Sequence, residues 1–315
     1  MRSFVIGSRG SRLALWQAEW VKARLLERGR PCSLKIIRTS GDKITDRPLA
    51  AFGGKGVFVK EIEDALIAGE IDLAVHSLKD LPTAQPEGLT ICCVPAREDP
   101  HDLLASAHGV PPGGLKAGAV VGTGSPRRAC QIRALRPDLS IRDLRGNVDT
   151  RLRKLREAGY DAIVLAVAGV RRLGEVVPGH VLSFAEMLPA VGQGALAIES
   201  RLDDAEIAAA LEPIHHAPTA AAVTAERAFL RGLGGGCQAP IAAHGQVEDG
   251  RLLLQGLVAE PRGERLLRDR REGSAAEADR LGAALAAALL DRGAAALLAG
   301  TPAPVAPFRP PARRP

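Results

Sequence analysis

Four side chains capable of acid–base or ionic chemistry stand together in the segment His76-Ser77-Leu78-Lys79-Asp80. An apolar run from Ile71 to Val75 leads into this segment, and Pro82 closes it. Ligands of open α/β sheets bind beyond the carboxyl ends of the strands. A buried strand that ends in such a cluster of polar groups therefore predicts an active site.

Asp80 is the residue that we expect to act as the acid–base group. Beside Lys79 it is either half of a surface ion pair, which contributes little to stability, or a carboxylate kept ionised in a cationic cleft. In the second case it stabilises positive charge and moves protons. His76 can equally be a packed core histidine, and because no second histidine stands at metal-ligand spacing, we expect no metal.

The charge distribution favours an anionic partner. The chain has 315 residues, a net charge of +6 and a pI of about 9.3. Between Ser125 and Arg172 it carries 12 Arg and Lys against 5 Asp and Glu, an excess of 7 that is larger than the net charge of the whole chain. All but one of the 12 are arginine, which holds planar carboxylates or phosphates through two parallel hydrogen bonds.

The turn Gly122-Thr123-Gly124-Ser125-Pro126-Arg127-Arg128 opens this basic segment. It begins like a dinucleotide-binding fingerprint but lacks the third glycine, and it does not end in the Gly-Lys-Ser/Thr of a phosphate loop. Two adjacent arginines at a helix start oppose the helix dipole, so they are either plain surface charges or compensated by a bound anion. We expect the anion, with carboxylates bound by Thr123, Ser125, Arg127 and Arg128.

Other arginines follow later strand ends in the same segment. Arg145 and Arg151 repeat the arrangement at the next strand end. One of Arg171 and Arg172 is expected to face the cleft, and periodicity does not decide which. The remaining charges of the intervening helix predict a solvated face, formed by Arg153, Lys154 and Arg156.

Two segments near the N-terminus offer further ligand groups. The turn Ser8-Arg9-Gly10-Ser11 is either an anion site at a helix start or an N-cap beside a surface charge, and this segment alone favours the N-cap. Lys55 lies in a glycine-rich connection from Thr39 to Gly56. This connection is too long for an ordinary loop, which predicts a mobile, functional segment.

The cysteines do not form a disulfide or zinc framework, because their number is odd and no CxxC spacing occurs. Cys237 closes the glycine run that begins at Gly234, a setting in which a nucleophilic or covalently modified thiol is possible. The other four are expected to be inert small hydrophobic residues, namely Cys32, Cys92, Cys93 and Cys130.

The order of the predicted elements indicates the fold class. A β-α-β-α-β pattern occurs twice in succession, which predicts an α/β protein with two similar lobes that face each other across a cleft. Connections at 97–103 and 187–193 are expected to cross between the lobes. The predicted units are residues 1–97 plus 193–213, residues 98–192, a small α+β domain at 214–300 that carries the glycine–cysteine motif, and a disordered proline-rich tail at 301–315.

Seven motifs in combination resemble the porphobilinogen deaminase family. The resemblance extends from about Phe4 to Leu298 and is carried by SRGSRLALWQ, GGKGVFVKEIE, DLAVHSLKDLP, GTGSPRR, LRGNVDTRL, LPAVGQGALAIE and GGGCQAP. It implies a dipyrromethane cofactor joined by a thioether to Cys237, and Asp80 as the catalytic carboxylate. Implied ligands of the cofactor's carboxylates are Ser77, Lys79, Thr123, Ser125, Arg127, Arg128 and Arg145.

The same resemblance implies a substrate and a reaction. Four porphobilinogens are joined head to tail with loss of ammonia, and water then releases hydroxymethylbilane. The family implies a monomer. Implied ligands of the incoming pyrrole and the growing chain are Arg9, Ser11, Lys55, Arg145, Arg151 and Arg172. The sequence departs from the usual family pattern at Arg12, Gly124 and Pro126, and the change at Gly124 removes one hydroxyl from the expected cofactor site.

Two other functions are compatible with parts of the sequence. The expected fold, α/β and type II periplasmic-binding-protein-like, also builds solute receptors, so a non-catalytic anion receptor is an alternative. The N-terminus lacks the long apolar segment of a signal peptide, which argues against an exported receptor and favours the cytoplasm. A nucleic-acid binder is the third hypothesis, but the arginines stand at strand ends and aromatic residues make up only 3% of the chain.

Overall fold

The structure is a computed structural model that describes residues 2–40, 59–235 and 239–299. Three sheets organise this part of the chain, two with five strands and one with three. Lys55, Cys237 and the predicted tail at 301–315 lie outside the described residues. No helix in the described ranges is long and apolar enough to cross a membrane.

The first sheet starts with the predicted alternation of strands and helices. Its elements up to residue 93 are β1 (Phe4–Ser8), α1 (Arg12–Leu26), β2 (Cys32–Ile36), α2 (Lys60–Ile67), β3 (Leu73–Ser77) and β4 (Leu89–Cys93). Strand β1 pairs in parallel with both β2 and β3. The carboxyl ends of β1 and β3 therefore meet at one edge of the sheet, and this edge carries the first half of the candidate site.

The second sheet repeats this pattern. Its elements are β5 (Asp102–Ser106), β6 (Val120–Gly122), α3 (Pro126–Leu135), β7 (Ser140–Arg142), α4 (Val148–Glu157), β8 (Ala162–Ala166), α5 (Val167–Arg172) and β9 (Gly179–Leu182). Strand β6 pairs in parallel with β7 and β8, as β1 does with its neighbours. Strand β5 is antiparallel to both β8 and β9.

The two sheets are linked by a pair of crossings. The chain passes from β4 to β5, and after β9 it returns to the first sheet as β10 (Leu196–Arg201), followed by α6 (Ala205–Leu211). Strand β10 inserts between β3 and β4, so the sheet orders are β2-β1-β3-β10-β4 and β7-β6-β8-β5-β9. Each sheet thus receives one antiparallel strand, and the expected two-lobed α/β fold class is confirmed.

Three strands were absent from the sequence prediction, namely β5, β9 and β10, and two of them contain a buried acid that breaks the apolar pattern. Strand β5 begins with Asp102, which is fully buried, and β10 contains Glu199, which is also fully buried. The predicted crossing at 97–103 is accordingly too long, since Asp102 and Leu103 already belong to β5. An isolated charge in a short apolar run normally indicates a surface position.

Helix α1 buries a different face from the one that its sequence predicts. The pattern indicates an apolar face of Leu13, Trp16, Trp20 and Leu25, but the buried residues are Gln17, Ala18, Val21 and Leu25. Trp16 remains 38% exposed. The reason is that one side of α1 packs on the first sheet while another side faces the cleft, where Leu13 and Gln17 line the wall.

The third sheet belongs to a small α+β unit. Its elements are α7 (Ala217–Gly232), β11 (Ile241–Glu248), β12 (Arg251–Ala259), β13 (Leu266–Ser274), α8 (Ala278–Asp291) and α9 (Ala294–Ala299). Phe229, Leu254 and Leu285 lie in its core. Helices α7 and α8 approach so closely that a Cβ added at Gly282 would stand 2.2 Å from the carbonyl oxygen of Ala225. A glycine is therefore required at this crossing.

A buried ion pair joins the crossings to the third unit. Arg97 donates from Nη1 to Glu226 Oε1 over 2.6 Å and from Nη2 to Glu226 Oε2 over 3.2 Å. The same carboxylate accepts the backbone N–H groups of Gly192 and Gly245. All its hydrogen-bonding capacity is used inside the protein, which is the condition for keeping a charge away from water.

Three aromatic rings lie against one another between the outgoing crossing, the segment after β9 and strand β11 of the third unit. Phe184 stands 4.1 Å from the ring centres of both His101 and His244. Burial lowers the pKa of His244 to about 3, and the positive charges of Arg97 and His101 act in the same direction. His244 is therefore neutral in the folded protein.

This histidine makes stability depend on pH. The unfolded chain protonates His244 below about pH 6.5 whereas the folded chain does not, so stability is complete above that pH and is lost as the pH falls. We expect a loss of about 2 kcal/mol between pH 6.5 and pH 5 from this group. His244→Phe keeps an aromatic ring and should remove that share of the pH dependence, measured by urea unfolding.

The matched control is the exposed His108. His108→Gln should retain the pH dependence of the wild-type protein. Identical pH dependence in the wild-type and His244→Phe proteins would contradict the buried, neutral state of His244.

Candidate active site

A cavity of about 250 Å³ lies between the two lobes, at the strand ends that the sequence singled out. Its wall combines residues from the turn after β1, the end of β3, the starts of α1 and α4, helix α5 and the return crossing. The charged residues that line it are Arg9, Lys79, Asp80, Arg128, Arg151 and Arg172. Five of these six are cations, and Asp80 is the one carboxylate in the described lining.

Asp80 is held by a short turn that directly follows β3. The turn is a single 3₁₀ turn over Leu78–Asp80, and its first residue, Leu78, is buried. The backbone N–H of Leu78 donates to the carbonyl oxygen of Ala195 over 3.0 Å, which fixes the turn to the return crossing. Leu81 is also buried, so Asp80 projects from a turn that is anchored by apolar residues on both sides.

Lys79 lies beside this carboxylate and is half-buried. Burial lowers the pKa of the Lys79 ammonium to about 8, although the negative charge of Asp80 opposes the shift. Arg128 acts in the same direction as burial. The surroundings of Lys79 thus destabilise its charged form, and a bound anion would stabilise that form.

The turn after β1 places two predicted residues in the cavity wall. Ser11 caps α1 by accepting the backbone N–H of Ala14 over 3.3 Å, and it lines the cavity as well. Arg9 also lines the cavity. The N-cap and the ligand-site interpretations of this segment are therefore compatible, since one turn serves both.

The glycine-containing turn before α3 contributes less to the cavity than its sequence predicts. Ser125 caps α3 by accepting the N–H of Arg128 over 3.4 Å, and the hydroxyl of Thr123 accepts the N–H of Ser125 over 3.1 Å. Among the four predicted residues of this turn, Arg128 lines the cavity, whereas Thr123, Ser125 and Arg127 do not.

A carboxylate of the protein itself lies beside these two arginines, where the sequence predicts a bound anion. Asp102, at the start of β5, pairs with Arg127 over 2.7 Å and with Arg128 over 2.6 Å. The sequence analysis missed Asp102. Its one available signal was that two arginines at the start of α3 oppose the helix dipole, which predicts a nearby anion but does not identify it. Gln193 also donates to Asp102, over 3.0 Å.

The start of α4 places Arg151 in the cavity wall beside Gly146 and Asn147. The Arg151 Nε donates to the carbonyl oxygen of Gly146 over 2.7 Å. Burial lowers the pKa of Arg151 to about 10, and Arg128 adds to this effect while Asp80 opposes it. Arg145 does not line the cavity, because its Nε donates to Asp143 over 2.8 Å outside it.

Helix α5 resolves the ambiguity between its two terminal arginines. Arg172 is buried in the cavity wall, donates to the carbonyl oxygen of Gly194 over 2.7 Å and lies 5.8 Å from the centre of the Trp16 ring. Burial lowers the pKa of Arg172 to about 10. Arg171 instead is exposed and pairs with Glu98 and Asp99.

Two polar residues of the wall were missed by the sequence reasoning or given no role. Gln17 is buried on α1 and donates to the Ser77 hydroxyl over 2.9 Å, which orients one of the predicted ligands. His76 is buried, with its Nε2 3.1 Å from Glu199 on β10. The burial of His76 and its contact with Glu199 confirm the interpretation of His76 as a packed histidine.

The electrostatics of the wall define the kind of ligand that fits. The cations of the wall repel one another at close range, and each loses hydration when it is buried. A ligand with several carboxylates relieves both effects, so the donor set suits a polycarboxylate. Among the described residues no group of three or more His, Cys, Asp and Glu side chains is arranged to hold a metal ion.

The four described cysteines are all free thiols. Burial raises the pKa of Cys93 to about 12 and that of Cys130 to about 11. It also raises the pKa of Cys32 and Cys92. A raised pKa disfavours the thiolate, which is the reactive form of a cysteine, in each of the four.

Comparison with protein families identifies two matching models. The model described as "Porphobilinogen deaminase, dipyromethane cofactor binding domain" matches residues 4–209. The model described as "Porphobilinogen deaminase, C-terminal domain" matches residues 220–291. The first match covers most of both lobes, and the second covers most of the small α+β unit.

Curated relatives match over almost the whole chain. A porphobilinogen deaminase of Syntrophobacter fumaroxidans is 52% identical over 298 residues, which are 93% of this chain and 96% of the relative. One of Desulforudis audaxviator is 54% identical over 302 residues, 95% of this chain and 97% of the relative. Among solved structures, a periplasmic substrate-binding protein from Coxiella burnetii has 14% identity and a TM-score of 0.44 over 71% of this chain and 94% of its own.

Proposed function

Because this chain belongs to the porphobilinogen deaminase family, we propose that the cleft between its lobes is where porphobilinogen units are joined. The protein is a transferase of tetrapyrrole biosynthesis, which polymerises porphobilinogen on a dipyrromethane cofactor and yields hydroxymethylbilane. Membership of this family decides against the solute-receptor alternative. The single observation that supports the location is the presence of one carboxylate among five cations in the described part of the cavity wall.

The residues of the cavity fit the cofactor that the family carries. Dipyrromethane bears several carboxylates, and the described wall offers five cations and the hydroxyls of Ser11 and Ser77 against one acid, Asp80. We propose Ser77, Lys79 and Arg128 as its ligands and Cys237 as its point of attachment. When bound, the cofactor supplies the pyrrole end to which the substrate is added.

Four other residues remain predictions as cofactor ligands on the resemblance alone, namely Thr123, Ser125, Arg127 and Arg145. Each lies outside the cavity lining, and Arg127 and Arg145 are paired with acids of the protein. For the substrate and the growing chain we propose Arg9, Ser11, Arg151 and Arg172, which line the cavity. Lys55 is proposed from the resemblance.

Asp80 is proposed as the catalytic carboxylate. Loss of ammonia from porphobilinogen leaves a positively charged pyrrole, and a neighbouring carboxylate stabilises such a charge as it develops. The same carboxylate accepts and returns the protons that the reaction exchanges. Asp80 stands at an exposed turn and is surrounded by the cations of the cavity wall.

The organisation of the chain is proposed as follows. The first lobe comprises residues 1–97 plus 193–213, the second 98–192, and the cofactor-bearing unit 214–300. We propose that the protein works as a cytoplasmic monomer, with porphobilinogen and the growing chain as its partners and without nucleic acid or membrane.

Mass spectrometry of the purified protein tests the cofactor and Asp80 together. We expect extra mass equal to two linked pyrroles on the peptide that contains Cys237. Asp80→Asn should keep this adduct but lower kcat by roughly a hundredfold or more, since it removes acid–base catalysis without changing shape. The exposed Asp203→Asn is the matched control and should keep wild-type turnover.

Two results would contradict these assignments. An unmodified Cys237 in active, freshly purified protein excludes the thioether. Wild-type turnover in Asp80→Asn removes Asp80 from the mechanism.

A comparison of two neighbouring arginines on α4 can distinguish a role in ligand binding from a general effect of surface charge. Arg151 lines the cavity, whereas Arg153 is exposed, with Glu157 at 3.9 Å. Arg151→Leu should raise KM for porphobilinogen by roughly tenfold to a hundredfold, since it removes a charge-assisted hydrogen bond. Arg153→Leu should leave KM near the wild-type value, and equal effects of the two changes would show that the assignment of Arg151 is wrong.

The lowered pKa of Lys79 predicts how cofactor loading depends on pH. Lys79 is cationic below its pKa of about 8 and loses its attraction for carboxylates as the pH rises past that value. Loading of cofactor-free protein should therefore fall from about pH 7 to about pH 9, as followed by intact mass. Lys79→Arg stays charged and should load equally at both pH values, and a parallel loss in this variant would exclude Lys79 as the cause.

A further inference from the structure

We propose that Asp102 is a positioning residue, which holds the Arg128 guanidinium in the cleft wall in the orientation that binds a carboxylate of the cofactor. The inference rests on the proposed function of the cleft. Asp102 itself lies behind the wall and does not line the cavity. Its effect on the ligand therefore passes through Arg128.

Three hydrogen bonds fix the plane of the Arg128 guanidinium. Asp102 Oδ1 accepts from Nε over 3.0 Å and from Nη2 over 2.6 Å. Nη1 donates to the carbonyl oxygen of Val164 over 2.9 Å. A guanidinium has five N–H groups, so one N–H remains on each terminal nitrogen. Two N–H groups on neighbouring nitrogens are what a bidentate grip on a carboxylate requires.

Arg127 has a different task from its neighbour. Its Nη1 donates to Asp102 Oδ2 over 2.7 Å and to the carbonyl oxygen of Leu188 over 2.7 Å. It is buried and does not line the cavity. Arg127 therefore holds Asp102 from behind, while Arg128 presents its remaining N–H groups to the cleft.

Gln193 connects this carboxylate to both crossings between the lobes. Its Nε2 donates to Asp102 Oδ1 over 3.0 Å and to the carbonyl oxygen of Pro100 over 2.8 Å. Gln193 belongs to the return crossing, and Pro100 belongs to the outgoing one. Arg128 is thereby fixed relative to the segments that join the lobes, and not only relative to its own helix.

Asp102 is ionised in this setting. Burial alone would raise its pKa, but the charges of Arg127 and Arg128 outweigh burial and hold the pKa well below its usual range. Conversely, burial lowers the pKa of Arg128, and Asp102 opposes that shift. Loss of the carboxylate leaves two buried guanidinium groups without a counter-charge, so a single change at Asp102 also destabilises the fold.

A balanced double variant separates positioning from folding. Asp102→Asn with Arg127→Met removes one negative and one positive charge, so the net charge of the buried cluster is unchanged. Arg127→Met alone is the reference, because it removes the same guanidinium and leaves Asp102 and Arg128 paired. Asp102→Asn alone should melt at the lowest temperature of the three proteins, and the double variant should recover much of that loss.

The readouts are cofactor occupancy by intact mass and KM for porphobilinogen. We expect the double variant to load a smaller fraction of its molecules than Arg127→Met and to have a KM at least tenfold higher. Equal occupancy and equal KM in these two proteins would show that Asp102 only compensates charge, which overturns the inference. If the double variant melts no higher than Asp102→Asn, Asp102→Glu replaces it, because it keeps the charge but displaces the carboxylate from Arg128. Occupancy and KM equal to those of the wild-type protein in that variant likewise overturn the inference.

The wild-type protein distinguishes this inference from the function on which it depends. A wild-type protein that carries the adduct and turns over porphobilinogen leaves the proposed function intact whatever the Asp102 variants do. A wild-type protein that has neither overturns the proposed function, and the inference fails with it.

Discussion

Two buried carboxylates, Asp102 and Glu226, hold the parts of this protein in one arrangement. Each is removed from water and each is neutralised by arginine, Glu226 by Arg97 and Asp102 by a pair on α3. Gln193 bridges the two groups, since its backbone oxygen accepts from Arg97 and its side chain donates to Asp102. A buried charge that loses its partner strongly destabilises the folded state. Separation of the lobes from the third unit at this junction would therefore lower the stability of the protein.

The chemistry of the cleft follows from the placement of charge that this junction allows. Arginines that are fixed from behind can face one another across a small cavity, although they repel in the absence of a ligand. The folded protein thus contains repulsive interactions between arginines, and a polycarboxylate ligand would reduce this repulsion. Asp80 stands within it on a turn anchored by Leu78 and Leu81, and it is the only acidic residue in the described lining.

The sequence predicted the strand ends, most helices and the cationic character of the site, because these depend on local pattern and composition. It could not choose between Arg171 and Arg172, since a six-residue helix defines no face. It missed Asp102, because periodicity treats a charged residue as exposed unless its partners are known. The cofactor and its attachment to Cys237 came from family resemblance, as spacing alone does not specify a covalent ligand.

The state of the buried cysteines has a consequence for how the cofactor becomes attached. A thioether forms when a thiolate attacks an electrophilic carbon, and burial keeps Cys32, Cys92, Cys93 and Cys130 protonated. The chain has five cysteines, so an electrophile generated beside it would otherwise meet five competing thiols. By disfavouring the thiolate at four of its five cysteines, the fold lowers the number of thiols that compete for such an electrophile.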